Sequence, residues 1–240
     1  MLLRHDLLNP DKSCQSCKTD SELSNMTVDS NTAIPARFTR RPIDVSDFEN
    51  EIWQACTPVT IDHYWSGEPA PSSRHAEARI CWSSAALHVR FVCAQQGPVV
   101  VSDHPRTDKK TLGLWDRDVC EIFLAPDPAN PSRYFEFEAA PTGEWVDLGI
   151  TITPSGRETD WDFSSGLTTA AKLERERLCV GMRIPWRGAI PKPEAGEEWR
   201  VNLFRCVGPE SPERYLAWRP TRTPEPAFHV PEAFGWLSFE

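Results

Sequence analysis

Apolar side chains recur at every second position in run after run of this chain, and no stretch sustains the three-to-four-residue spacing of a helix. That pattern restricts the chain to sheet. A strand sends alternate side chains to opposite faces, so each run marks one face for burial. Leu87, Val89, Phe91 and Cys93 alternate in one run, and Leu178, Val180, Met182 and Ile184 in another. The 22 prolines cut such runs short, because proline withdraws a backbone donor and settles in turns and at edges. Eight or more short strands separated by turn signals predict a single all-β domain, an immunoglobulin-like β-sandwich.

Along the chain, residues 1–33 are polar and aperiodic and read as a disordered extension, with the domain occupying 34–240. Cys14-Gln15-Ser16-Cys17 lies in that extension as a lone CxxC without a second pair, and Met26 is an alternative start. Phe48 to Ala55 reads as a short helical or irregular turn and Val59 to Trp65 as one short strand. Ala76 to Trp82 and Ala86 to Cys93 form a hairpin, with His88 and Arg90 opposite its apolar face. Residues 97–113 form a long loop and 153–170 a polar loop carrying Trp161. Cys81, Cys93, Cys120, Cys179 and Cys206 fall within apolar runs, where free cysteine behaves as a small hydrophobe.

A net charge of -9 argues against nucleic-acid and anionic-membrane partners, since the one arginine-dense run, Arg37 to Arg41, is short. No run of about 18 apolar residues is present to span a bilayer. The amino terminus lacks the apolar core of a secretory signal, so the expectation is a cytoplasmic protein.

The chemistry concentrates in Leu114-Trp115-Asp116-Arg117-Asp118-Val119-Cys120-Glu121-Ile122-Phe123-Leu124. Cys120, Ile122 and Leu124 share the core face. Glu121 stands on the other with Val119 and Phe123, free to act, and Trp115 lies at the strand mouth. A flat indole beside an oriented carboxylate suits a sugar, whose C–H face stacks on the ring and whose hydroxyls need acceptors. In Tyr134-Phe135-Glu136-Phe137-Glu138-Ala139, Glu136 and Glu138 share the polar face. If that strand pairs antiparallel with the central one, three carboxylates come together. A second reading of such a group is a glycoside hydrolase using Glu121 with Glu136 or Glu138, less favoured because no deep, water-excluding cleft is evident to raise the acid. Patterns for a serine hydrolase, a zinc protease or a phosphate-binding loop are missing. Asp118 reads as a turn cap, His229 as a surface or satisfied core histidine, and Trp82, Trp199 and Trp236 as core.

The run Trp115 to Phe123 resembles the W-x-x-D-x-V/C-E-I/V-F signature of carbohydrate-binding module family 9-like domains. Phe228-His229-Val230-Pro231-Glu232-Ala233-Phe234-Gly235-Trp236-Leu237 resembles the family's closing aromatic-x-x-P-x-x-F-G-x-L strand, and the similarity runs from about residue 38 to 240. The resemblance implies a jelly-roll β-sandwich that binds sugar non-catalytically, clamping a terminal glucose or xylose ring of a plant-type glycan between two aromatics. It assigns the first aromatic to Trp115, the acidic hydrogen-bonding residue to Glu121 and the amide to Asn202. The second aromatic falls on Phe228, where sugar-binding members carry Trp. Glu136 stands in place of the basic residue expected on the next strand, with His229, Arg205 or Arg90 as compensating groups. No cofactor is implied beyond the structural calcium that some members hold. A sandwich that has lost sugar and serves as a protein-interaction module is the third alternative.

Overall fold

The computed structural model describes residues 33–209 and 211–240. The expected disordered extension, its CxxC and Met26 lie outside these residues, apart from Ala33, which begins the first strand. Fourteen strands follow in order among the described residues: β1 (Ala33–Phe38), β2 (Val59–Ile61), β3 (His63–Tyr64), β4 (Ala76–Trp82), β5 (Ala86–Ala94), β6 (Val119–Ala125), β7 (Arg133–Ala139), β8 (Trp145–Thr153), β9 (Gly156–Asp160), β10 (Thr168–Leu173), β11 (Arg177–Pro185), β12 (Glu198–Cys206), β13 (Tyr215–Ala217) and β14 (Gly235–Phe239). Among the described residues helix is confined to α1 (Ile52–Ala55) and single 3-10 turns at Ser72–Arg74, Leu114–Asp116 and Pro231–Ala233.

The strands form a sandwich of two sheets. One carries β10-β11-β5-β4 and the other β14-β12-β6-β7-β8-β9. Strand β1 joins them, pairing with β14 through Ala33–Ala36 and with β4 through Arg37 and Phe38, parallel in both cases. Alternation explains the main core. Ile80, Leu87, Val89, Phe91, Val180 and Met182 of the first sheet pack against Cys120, Ile122, Leu124, Phe137, Val201 and Leu203 of the second. The face predicted for β6 and the hairpin of β4 with β5 are as the alternation requires.

Two local readings change. The expected strand over Val59 to Trp65 is split into β2 and β3, because β2 pairs with β4 in one sheet while β3 pairs with β13 in the other. The expected polar loop 153–170 contains all of β9 and the start of β10. Neither announces itself by alternating apolar residues, since β9 is largely exposed and is held by backbone pairing with β8.

The outer face of the second sheet carries its own apolar layer. Phe123, Tyr134, Val146, Leu148, Ile150 and Phe204 point outward, and Phe234 closes over them. Phe123 stacks on Tyr134 with centroids 5.6 Å apart and meets Phe204 edge-on at 4.9 Å. Trp82 and Trp199 are core as expected, whereas Trp236 is half-buried beneath the Arg200 guanidinium, 4.7 Å from its ring centroid.

Candidate functional site: an acidic, aromatic-walled pocket

A pocket of about 310 Å³ opens on this outer face. Successive strands contribute in register. Glu121 of β6 lies opposite Glu138 of β7, and Phe123 opposite Glu136, so the antiparallel pairing raised as a condition above is met. Leu148 and Ile150 continue the row on β8, and Arg157 and Thr159 on β9. Trp115, Trp161 and Tyr215 stand above the row, with residues 226–229 beside them.

The site turns are pinned from outside the pocket. Arg214 donates to the carbonyls of Asp116 and Arg117, at 2.9 and 2.6 Å, holding the turn that carries Trp115. Asp118, expected to cap the turn before β6, instead accepts at its carboxylate from the backbone N–H of Gly208 at 2.7 Å, tying that turn to a segment distant in sequence. Lys110, from the long loop, pairs with the buried Asp147 carboxylate at 3.0 Å and donates to the carbonyls of Trp161 and Phe163. This network fixes the segment from which Trp161 projects. The centroids of Trp115 and Trp161 are 6.3 Å apart and their planes are inclined by 41°.

The structure redistributes the residues singled out by sequence. Trp115, Glu121, Glu136, Phe228 and His229 line the pocket. Asn202 does not: it is fully buried, donating to the Arg219 carbonyl and accepting from the N–H groups of Leu203 and Arg219. Arg205 points between the sheets, where it donates to the carbonyls of Arg74 and His75 and to Gln95 Oε1. Arg90 donates to the Phe48 carbonyl on the far sheet. Phe228 lies flat on Phe204, with centroids 4.0 Å apart and planes 13° from parallel, so its partner is the sheet.

Trp161 is the ring beside Trp115, and sequence reading passed over it along with Arg157, Thr159 and Tyr215. A signal existed. Arg157, Thr159 and Trp161 are spaced two apart, and a tryptophan in an otherwise polar segment is a large apolar group without a core to explain it. Trp161 is 46% exposed.

The expectation that Glu121 stands free in solvent is corrected, because the covering segment and the Trp115 turn bury it to 1% exposure. Glu136 and Glu138 are 4% and 0% exposed, and oxygens of all three lie within 4.8 Å of one another. Cys206 donates its thiol to Glu121 Oε1 at 3.4 Å. No N–H, hydroxyl or thiol donates to either Glu138 oxygen or to Glu136 Oε2. Burial, then the Glu136 charge, pushes Glu121 up to about 8. Burial and the charges of Glu121 and Glu136 push Glu138 well up, and burial raises Glu136 against a hydrogen bond with the Glu138 carboxyl and the charge of Arg157. Tyr134 Oη lies 2.7 Å from His229 Nδ1. Burial, reinforced by Arg157, lowers His229 to about 3, keeping the ring neutral.

The raised carboxyls make stability depend on pH. A Glu121 that ionises near 8 when folded and near 4.5 when unfolded favours folding fully below 4.5 and loses that contribution as pH rises through 8. His229 and His88, both lowered by burial, act against the fold only below the ordinary histidine value of 6.5. With divalent ions chelated, stability therefore falls from pH 6.5 to 8, by about 2 kcal/mol through Glu121. Urea unfolding at both pH values checks this. Glu121→Gln should flatten the fall, and an unchanged slope would refute the assignment.

A sheet face that presents oriented carboxylates at the base of an aromatic-walled pocket defines a small-molecule binding module on a β-sandwich. The chain belongs to the carbohydrate family 9 binding domain-like family, whose sequence profile matches residues 44–240. It is 25% identical over 177 residues to an "Extracellular protein" of Arthroderma benhamiae, covering 67% of this chain and 77% of that one. Among solved structures, a suspected carbohydrate-binding protein from Bacteroides uniformis superposes with a TM-score of 0.69 at 17% identity, over 87% of this chain and 99% of that one. A family 9 carbohydrate-binding module from Caldicellulosiruptor kristjanssonii, solved with glucose, gives 0.57 at 19% identity, over 87% and 95%. The same source's module with cellotriose gives 0.58 at 19% identity, over 87% and 93%.

Proposed function

We propose that the pocket binds the terminal ring of a plant-type glycan without cleaving it, stacking the sugar on Trp115 and Trp161 and taking its hydroxyls on Glu121, Glu136 and Glu138. Family membership and the sandwich support carbohydrate binding, and the sugar-bound modules of similar fold make glucose and cello-oligosaccharides the first ligands to try. The observation that carries the site is the conjunction in one pocket of indole walls and buried carboxyls with unused hydrogen-bonding positions.

A protonated carboxyl both donates and accepts, so the cluster matches the mixed donor and acceptor character of a diol. About 1 kcal/mol from each stacked ring and a similar amount from each of two or three hydrogen bonds place affinity between micromolar and millimolar. Calorimetry with glucose, xylose, cellobiose and xylobiose, followed by chromatography of the sugar after long incubation, tests the reading. Saturable binding with intact sugar is expected; no binding by folded protein would overturn it.

A further inference from the structure

The carboxylates at the base of the pocket are arranged for more than hydrogen bonding. Glu121, Glu136 and Glu138 offer oxygens mutually within 4.8 Å, about the greatest separation of two ligands on one ion at the roughly 2.4 Å bonds of calcium. Three acids on adjacent strands would be a weak argument alone. The independent observation is that Glu138, fully buried and lining the pocket, receives no N–H, hydroxyl or thiol on either oxygen, and Glu136 Oε2 receives none either, so the two carboxyls have only each other. A buried acceptor without a donor is costly, and a carboxylate without a counter-charge more so. The nearest basic groups relieve this only in part: His229 Nε2 is 3.9 Å from Glu136 Oε2, on a ring kept neutral, while Arg157, on the strand two positions further out, and Arg214 act by charge alone on Glu136 and Glu121, without an ion pair to them.

We propose that Glu121, Glu136 and Glu138 form a divalent-cation site at the base of the pocket, taking a hard, oxygen-preferring ion of the calcium or manganese class. An all-carboxylate set selects such ions over zinc or copper, which favour imidazole and thiolate. Cys206 is the neighbouring thiol, and it is already engaged with Glu121. Three carboxylates leave coordination positions facing the pocket mouth, where water or two vicinal hydroxyls of a sugar complete the shell. That bridging role rests on the reading of the pocket as a sugar site, whereas the ion site itself does not.

The test uses the full chain, stripped with EDTA and dialysed. Calcium, manganese and magnesium chlorides are titrated separately by calorimetry without sugar, and terbium is titrated with excitation of tryptophan, since Trp115 and Trp161 line the same pocket. Saturable binding of one ion per chain, tryptophan-sensitised terbium emission displaced by calcium, and at least a hundredfold weakening in Glu138→Gln are expected. Glu136→Gln serves as the second variant, and circular dichroism checks that each is folded. Asp127→Asn, on an exposed turn, should bind as wild type does. Absence of saturable binding up to about 10 mM ion, the weak end of protein calcium sites, would overturn the proposal. So would terbium binding without sensitised emission, or binding that survives in both glutamine variants. Glucosamine binding to the stripped protein while calcium fails to bind would reassign the cluster to a protonated amine. Repeating the cellobiose titration with and without calcium then separates the two readings: ion binding without sugar binding removes only the bridging role.

Discussion

Trp115→Ala weakens cellobiose binding by roughly ten- to thirtyfold, equivalent to about 1.5–2 kcal/mol of lost stacking and apolar contact. Starting from an affinity between micromolar and millimolar, that loss carries the weakest ligands beyond calorimetric detection. Trp161→Ala should fall in the same range, because the two rings lie 6.3 Å apart as neighbouring walls of one pocket. Phe228→Ala is the informative comparison. Its ring is seated on Phe204 rather than facing Trp115, so this substitution should disturb the base of the pocket and lower stability as well as affinity. If Trp161→Ala binds as wild type does while Phe228→Ala abolishes binding without loss of stability, the clamp is the Trp115 and Phe228 pair that the family resemblance implies.

The largest loss of stability is expected for Phe204→Ala. The ring is fully buried, lies flat beneath Phe228 and meets Phe123 at 4.9 Å, so truncation should cost about 3–5 kcal/mol. For a domain of this size the melting temperature should drop by roughly 6–20 °C. Binding should weaken too, because Phe228 loses the surface it rests on. Phe91→Ala separates the two effects. Phe91 is equally buried but belongs to the core between the sheets, so its loss should lower stability comparably and leave affinity intact. Equal affinity losses in the two variants would mean that binding tracks global stability and that the outer aromatic layer has no specific role.

Much of this arrangement follows from local chemistry. Period-two alternation puts Cys120, Ile122 and Leu124 on one face and Glu121 on the other, and separates Phe135 and Phe137 from Glu136 and Glu138 in the same way. Antiparallel pairing of β6 with β7 then sets Glu138 opposite Glu121. The sandwich was therefore readable from the chain, as were the three acids and the position of Trp115 at a strand mouth. Asn202 and Arg205 show where such reading stops. Both are polar residues within a strand, but hydrogen-bond partners distant in sequence engage them away from the pocket.

Which side chains share a face was settled by residue order alone, because that depends only on strand geometry. Tertiary structure alone decided that the acidic face is buried. The segment around Phe228 and Phe234 returns about a hundred residues after β6 to cover Phe123, and the 3-10 turn at Trp115 closes one side. It also brought Trp161 beside Trp115, through a Lys110 and Asp147 pair drawn from separate segments. Burial is a property of what lies over a surface, and residues far apart in sequence supply that cover. Covered in this way, a carboxyl row that alternation alone would leave in water becomes a set of raised, underused acids at the base of a pocket.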